Sequence, residues 1–319
     1  MLRLCPSVHK VYGAHVEEMM YPLGFLNGSA LDHSHIAAAF ADLTPQQAEE
    51  QTAKYLKATG HTNTYTLSKH MTEEVIRDLH RAGVPCTIVR PSAVGAVANS
   101  PCPGYFGHTV SILVALFLGY STGMSTFTPH NPSNAIDVVP GDICAATILA
   151  ASAAVIQGKV DSRMPEVVHA TTTTTYLHAF MELMRDNVCP YWGARKPWYV
   201  RSLHQAVRTP WRFPLAQDTP LFRAWTAAKT CKFWALACML TLMGQQRKAL
   251  QITKGWQACM LYNTEKLDFH LFFCSRNARR LQASLSQADI QAGVRIVWDK
   301  EHGDWHSYYT QFQAAVNEV

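Results

Sequence analysis

The chain has 319 residues, of which 48% are hydrophobic and 16% are charged, and its net charge is +5 at pH 7. This composition excludes global disorder and allows a buried core, and the length is sufficient for two domains. The basic residues do not gather in one run, so the charge does not indicate a nucleic-acid partner; it is compatible with a weak attraction to anionic phosphates or a membrane surface.

Neither the cysteines nor the apolar stretches indicate a metal site or a membrane span. The nine cysteines form no Cys-x-x-Cys pair, so we expect free thiols in a reducing compartment and no metal. The most apolar stretches, residues 110–118 and 234–243, are shorter than the roughly 20 residues that a bilayer span requires. We expect the second stretch to form a core helix, with a membrane-surface segment as the alternative. The first residues do not show the pattern of a signal peptide.

The elements predicted before residue 63 shape the fold and carry no predicted chemistry. A short strand is predicted near residues 7–12, and residues 23–62 form a lid-like insertion. Within the insertion, Thr44 and Pro45 predict the start of a helix. That helix is expected to end at Gly60.

A second helix is predicted between Thr64, its expected cap, and Gly83, which stops it. Its apolar positions recur every four residues, at Leu67, Met71, Val75 and Leu79. Tyr65 and Lys69 are four residues apart, so their side chains share one face of the helix. An ammonium beside a phenol favours the phenolate form and makes the phenolic proton easier to donate. The pair is therefore a candidate proton donor.

The segment after this helix distinguishes the pair from a chance spacing. Residues 84–92 are apolar and β-branched, which predicts a buried strand, and Pro91 opens a loop after it. Helix, tight turn and strand form the αβ half of a doubly wound sheet, whose ligands bind at the carboxyl ends of the strands. A second Tyr-x-x-x-Lys, at Tyr262 and Lys266, has no such strand after it.

Further elements are predicted in the rest of the chain. An apolar helix is expected over residues 110–118. Asp142 is expected to cap a helix that continues to about Ala154, and residues 167–170 to form a strand. The threonines at 171–175 predict a polar loop without the glycine that a phosphate cradle needs. From Tyr176 the composition becomes rich in tryptophan, which indicates a helical second domain.

Several motifs together resemble the extended short-chain dehydrogenase/reductases, and among them the male-sterility type of fatty acyl-CoA reductase. The closest correspondence is Asn63 to Lys69 followed by Thr87 to Ala96. Three further segments resemble that family in the same order: His15–Pro22, Tyr262–Leu267 and Asp304–Tyr309.

The resemblance implies an α/β fold, the C-terminal part of a Rossmann-like doubly wound sheet followed by a mainly α-helical domain, with domains at residues 1–165 and 166–319. It implies NADPH-dependent reduction of a fatty acyl-CoA thioester to aldehyde or alcohol, without a metal. The implied location is intracellular, either cytoplasmic or peripheral to the endoplasmic reticulum or peroxisome membrane, with peripheral membrane contact.

The resemblance also assigns roles to individual residues. Tyr65 donates the proton, and Lys69 assists it and holds the cofactor ribose. Pro91 and Ser92 line the nicotinamide pocket. Ser7 is the hydroxyl nearest to the position of the family's catalytic serine, although its spacing to His15 departs from the family pattern; in that place it would orient the carbonyl.

The sequence contains no Gly-x-Gly-x-x-Gly and no Gly-x-x-Gly-x-x-Gly, so no pyrophosphate-binding loop of the Rossmann type is predicted. We therefore expect the chain to correspond to the C-terminal portion of a reductase, with impaired activity by itself. An unpaired sheet edge would invite a complementing N-terminal segment. Two alternatives stay open: another extended short-chain reductase, acting on sterols or as a thioester-reductase domain, and a non-catalytic remnant or scaffold.

Overall fold

The computed structural model describes residues 15–26, 28–61, 63–107, 113–114, 117, 137–159, 164–172, 174–176, 187, 190–191, 220–264 and 272–317. The strands are β1 (His15–Val16), β2 (Phe25–Leu26), β3 (Ser29–Ala30), β4 (Thr87–Pro91), β5 (Ala93–Val94), β6 (Val138–Val139), β7 (Glu166–Ala170) and β8 (Phe272–Phe273). The helices are α1 (His33–Ala38), α2 (Pro45–Thr59), α3 (Thr64–Arg81), α4 (Gly141–Ile156), α5 (Pro220–Leu242), α6 (Gln246–Thr264), α7 (Arg276–Ala283), α8 (Gln287–Gln291) and α9 (Trp305–Asn317).

Parallel strand pairs flanked by helices confirm the predicted fold class. Strands β4 and β7 pair in parallel, with Thr87 opposite Glu166 and Pro91 opposite Ala170. Strands β5 and β6, and strands β1 and β8, are also parallel pairs. Helix α4 packs against β4 and β7, and α7 packs against β7. Parallel strands need crossover connections, and helices on the sheet faces supply them.

Helix α3 forms where it was predicted, but its cap differs. Asn63, not Thr64, is the N-cap, and its side chain accepts a hydrogen bond from the amide of Thr66. Thr64 is the first helical residue because Asn63 has the extended backbone that a cap requires. At the other end, Gly83 takes a φ of +92°, as the residue after a helix often does.

The described segment that precedes α3 packs onto α3. Leu23, Ile36, Tyr55 and Leu67 form one buried apolar cluster, which joins the segment before α1, α1 itself and α2 to α3. Thr44 caps α2 in a reciprocal capping box, Pro45 starts the helix, and Gly60 ends it with a φ of +70°. These three predictions about α2 are confirmed.

Helix α4 corrects one prediction. Its N-cap is Pro140, which offers no side-chain hydrogen bond, and Asp142 lies in the first turn. The helix begins two residues earlier than a cap at Asp142 would place it, since Gly141 is already helical. The Gly141 amide donates to the carbonyl of Ala96. Asp142 therefore acts on the helix N-terminus through its charge and not as a cap. The predicted strand at residues 167–170 is confirmed as β7.

The contacts divide the chain into two compact units. The described residues of Met1–Val97, Asp137–Leu177 and His270–His302 form the first, which holds every described strand. Those of Ala98–Ile136, His178–Phe269 and Gly303–Val319 form the second, whose described regular elements are helices. The domain division at residue 165 stays a prediction.

The second unit has a buried part and an exposed part. Helix α9 buries Trp305, Tyr308, Tyr309 and Phe312, so the motif at Asp304–Tyr309 packs an aromatic core. By contrast, Phe233 is the only buried side chain among those described on α5. The prediction that residues 234–243 form a core helix is therefore wrong. No helix in the described part of the chain is long and apolar enough to cross a bilayer.

Candidate active site

Tyr65 and Lys69 meet at the start of α3. Tyr65 is the second residue of the helix and 51% exposed. The Lys69 Nζ lies 5.6 Å from the centroid of the Tyr65 ring, which is within cation–π distance. The N-terminal end of a helix also carries a partial positive charge. The exposure of Tyr65 lets a ligand reach its phenolic group.

Helix α3 is fixed to strand β4 by a buried ion pair. The Arg90 Nε donates to Glu73 Oε1 at 2.9 Å, and the Arg90 Nη2 donates to Glu73 Oε2 at 2.7 Å. The guanidinium carbon of Arg90 also lies 5.8 Å from the centroid of the Tyr21 ring. This two-point contact fixes the position of α3, and so of Tyr65, relative to the sheet.

Two buried histidines attach a second segment to α3. His70 Nε2 lies 3.1 Å from the carbonyl oxygen of Tyr21, and His70 Nδ1 lies 3.1 Å from His61 Nε2. Since a carbonyl only accepts, Nε2 of His70 carries a proton and donates it, and a neutral His70 then accepts from His61. His61 Nδ1 completes the chain at 3.1 Å from Thr66 Oγ1. The first turn of α3 is thereby joined to the segment around Tyr21.

Glu18 joins three elements of the first unit. One of its carboxylate oxygens accepts from the amide of His169 in β7 at 2.9 Å, and the other accepts from the amide of Asn277 at the start of α7. Ser275, the N-cap of α7, makes no side-chain capping bond, so Glu18 supplies the cap from a distant part of the chain. Burial raises the pKa of Glu18, and these backbone hydrogen bonds oppose that effect.

His169 lies beside Arg90 in the paired strands and is fully buried. Its Nδ1 donates to the carbonyl oxygen of Cys274 at 2.8 Å. Burial, and secondarily the charge of Arg90, lower the pKa of His169 from 6.5 to about 4. A neutral imidazole is therefore built into the sheet beside the Arg90–Glu73 ion pair.

The carboxyl ends of β4 and β7 present two adjacent hydroxyl groups. The amide of Ser92 donates to the carbonyl of Ala170 at 3.1 Å, so Ser92 and Thr171 follow paired positions. The Ser92 Oγ and Thr171 Oγ1 atoms are buried, and neither has a hydrogen-bond partner among the described residues. Ligands of α/β sheets bind at this edge, and unpaired buried hydroxyls favour a polar group there.

The structure locates four of the five predicted site residues. Tyr65 and Lys69 are brought together on α3, and Pro91 and Ser92 lie at the end of β4 and directly after it. Ser7 lies outside the described residues. Lys266 of the second Tyr-x-x-x-Lys also lies outside them.

Sequence reasoning missed Glu18, His70, Glu73 and Arg90. Glu18 and Arg90 are part of motifs that carry the family resemblance. The buried contacts of Glu18 and Arg90 explain why each motif contains a charged residue. The sequence alone does not show whether a charged side chain is buried or exposed.

Comparison with known proteins shows what the chain resembles. The model of an NAD-binding family described as "Male sterility protein" matches residues 7–148, which supports a nicotinamide cofactor. "Putative fatty acyl-CoA reductase CG8306" of Drosophila melanogaster is 31% identical over 185 residues, which are 56% of this chain and 34% of that protein. "Putative fatty acyl-CoA reductase CG8303" of the same organism is 24% identical over 276 residues, 85% of this chain and 47% of that protein.

A plant protein, "Fatty acyl-CoA reductase 2, chloroplastic" of Arabidopsis thaliana, is 32% identical over 115 residues, 34% of this chain and 18% of that protein. The chain thus spans about a third to a half of the length of the two insect relatives. The resemblance found in the sequence motifs is confirmed. Residues 7–148 match the male-sterility family, and the relatives that the chain resembles carry the name fatty acyl-CoA reductase.

Proposed function

We propose that this chain contributes the proton-donating part of a reductase site that acts on a fatty acyl-CoA thioester with NADPH. The observation that carries the proposal is the exposed Tyr65 ring beneath the Lys69 ammonium, at the N-terminal end of a helix held rigidly to the sheet. The names of the relatives in insects and plants suggest the substrate class.

The residues fit one end of a dinucleotide. The exposed side chains of Tyr65 and Lys69 offer a hydroxyl and an ammonium for ribose hydroxyls, and the unpaired Ser92 and Thr171 hydroxyls offer partners for a carboxamide. The other end has no counterpart in the sequence, since no glycine-rich loop is present. The fit therefore concerns the nicotinamide and its ribose.

In the proposed reaction, a nicotinamide held beside Tyr65 and Lys69 would supply the hydride for the carbonyl carbon. Tyr65 donates its phenolic proton to the carbonyl oxygen, and Lys69 stabilises the phenolate that remains. Each step adds one hydride and one proton across a C=O bond. The first step on a thioester leads to the aldehyde with release of the thiol, and a second step gives the alcohol. Ser7, in the family's serine position, would hold the carbonyl oxygen by a hydrogen bond.

Cofactor binding is the first test of this proposal. Fluorescence or calorimetric titration of the 319-residue chain with NADPH should show saturable binding. Lys69→Met should weaken it about tenfold or more. Lys54→Met is the matched control, because Lys54 also lies over a tyrosine ring, at 5.8 Å from the centroid of Tyr55. No saturable binding would favour the non-catalytic alternative for this chain.

Turnover tests the role of Tyr65 itself. With a long-chain acyl-CoA and NADPH, Tyr65→Phe should lower kcat about 10²–10⁴-fold, the usual contribution of a general acid, without weakening cofactor binding to the same extent. Tyr105→Phe is the control, since Tyr105 is 53% exposed and also a surface tyrosine. If the parent chain is active and Tyr65→Phe is equally active, Tyr65 is not the proton donor.

A further inference from the structure

The hairpin of α5 and α6 exposes a set of large apolar side chains. Leu242 and Met243, at the turn between the helices, are 89% and 62% exposed. Other exposed apolar residues lie along both helices: Trp234, Met239 and Leu250. A shallow groove of about 550 Å³ runs between the helices and is lined by residues that include Trp234, Cys238 and Leu250. Such a patch on a protein surface indicates an interaction site.

The same hairpin is strongly basic. Between Pro220 and Thr264 the sequence contains no Asp or Glu, although the whole chain has 23 acidic residues. The segment carries these cations: Arg223, Lys229, Lys232, Arg247, Lys248 and Lys254. All except Lys229, which is half-buried, are exposed. Arg247 and Lys248 lie at the start of α6, four and five residues after Met243. A partner of this surface should therefore be both apolar and negatively charged.

We propose that the α5–α6 hairpin docks on the surface of an anionic phospholipid bilayer, with its turn inserted at the level of the headgroups. Leu242 and Met243 project at a convex turn, where Gly244 takes a φ of +74°. A convex apolar tip fits the acyl boundary of a bilayer, and cations beside it fit the phosphates. Trp234 suits the interface region because its ring is apolar and its N–H is polar. The proposal does not depend on reductase activity.

A bilayer fits these observations better than other occupants. A single acyl chain would be held in a concave site, but Leu242, the most exposed apolar side chain described on the hairpin, is on the turn. A second copy of the chain would bring a second basic hairpin against the first, and like charges in contact oppose association. These two occupants are separate outcomes of the experiment.

The experiment measures co-sedimentation of the 319-residue chain with vesicles of phosphatidylcholine alone or with about 30% phosphatidylserine. Binding is expected to the anionic vesicles, to fall steeply with added salt, and to be weak on the neutral ones. The double variant Leu242→Ser with Met243→Ser, and the charge reversal Arg247→Glu with Lys248→Glu, should each weaken binding about tenfold or more.

The matched control places the same serine substitutions on another exposed apolar surface. Leu149 and Ile156 of α4 are 71% and 86% exposed. Leu149→Ser with Ile156→Ser should leave vesicle binding unchanged, and circular dichroism should show that all variants remain folded. Brominated lipids should quench tryptophan fluorescence, and Trp234→Phe should remove part of that quenching.

Three results would overturn the proposal. The first is that the chain does not bind anionic vesicles. The second is that it binds them but the turn and charge variants bind equally well. The third is that the chain does not bind vesicles but self-associates, and the turn variant abolishes the self-association. The last result would assign the surface to a second copy. The second result, if excess free palmitoyl-CoA also abolished vesicle binding, would assign the groove to an acyl chain.

Discussion

Helices α3 and α5 differ in what they bury. Helix α3 has a polar sequence, yet it buries Thr66, His70, Glu73 and Glu74. Helix α5 is much more apolar, yet Trp234 and Leu242 are exposed. Each buried polar group of α3 is paired, as with Glu73 and Arg90 or His70 and the Tyr21 carbonyl, whereas α5 packs chiefly on α6. Burial thus depends on available partners, and the average hydropathy of a helix predicts it poorly.

The Arg90–Glu73 pair should give the largest effect on stability. Arg90→Met would leave the Glu73 carboxylate buried without its cation, and breaking a buried ion pair costs about 3–5 kcal/mol. We expect the free energy of unfolding, measured by urea denaturation, to fall by that amount. The double variant Arg90→Met with Glu73→Leu should recover much of the loss, because no unpaired charge remains.

An exposed ion pair provides the control for that experiment. Arg280 pairs with Glu166, and its side chain is largely exposed. Arg280→Met should cost less than about 1 kcal/mol. A similar cost for the two arginine variants would mean that the buried contact has no special role in holding α3 to the sheet.

The buried His169 should make the stability depend on pH. Its pKa is lowered from 6.5 to about 4 in the folded protein, so the unfolded chain takes up a proton that the folded chain does not. The free energy of unfolding is therefore unaffected by His169 above pH 6.5, and it decreases as the pH falls from 6.5 toward 4. The loss is about 3 kcal/mol, from about 1.4 kcal/mol per unit of pKa.

Denaturation curves at pH 7 and pH 4.5 test this prediction. The parent chain should lose stability between these values, and His169→Gln should lose markedly less over the same range while keeping the neutral side chain. If both chains show the same pH dependence, other groups cause it.

The cap of α3 should have an intermediate effect. Asn63→Ala removes the hydrogen bond from the Thr66 amide to the Asn63 side chain and should lower the free energy of unfolding by about 1 kcal/mol. Thr64→Ala is the matched control and should change it less, since Thr64 is exposed and already inside the helix. A larger loss of stability for Thr64→Ala than for Asn63→Ala would mean that Thr64 is the cap.

The sequence was sufficient for the elements whose signals are local. The capping box at Thr44, the end of α2 at Gly60 and the strand at residues 167–170 depend on neighbours in the chain, and they were predicted correctly. Tyr65 and Lys69 could be placed on one helical face for the same reason. Glu18 could not be recognised as the cap of α7, because Asn277 is far along the chain, and exposure of α5 could not be predicted because its partners determine it.

Two neighbouring aromatic residues on α5 provide the final comparison. Phe233 is 6% exposed, and its ring centroid lies 4.8 Å from that of Trp256 on α6; Trp234 is 66% exposed. Phe233→Ala should cost about 3–5 kcal/mol, as for a buried aromatic residue. Trp234→Ala should change the free energy of unfolding by less than about 0.5 kcal/mol, since surface positions rarely contribute more. Urea denaturation without lipid measures both. A large loss for Trp234→Ala would mean that its ring holds the hairpin together, whereas a small one leaves it free for a surface role.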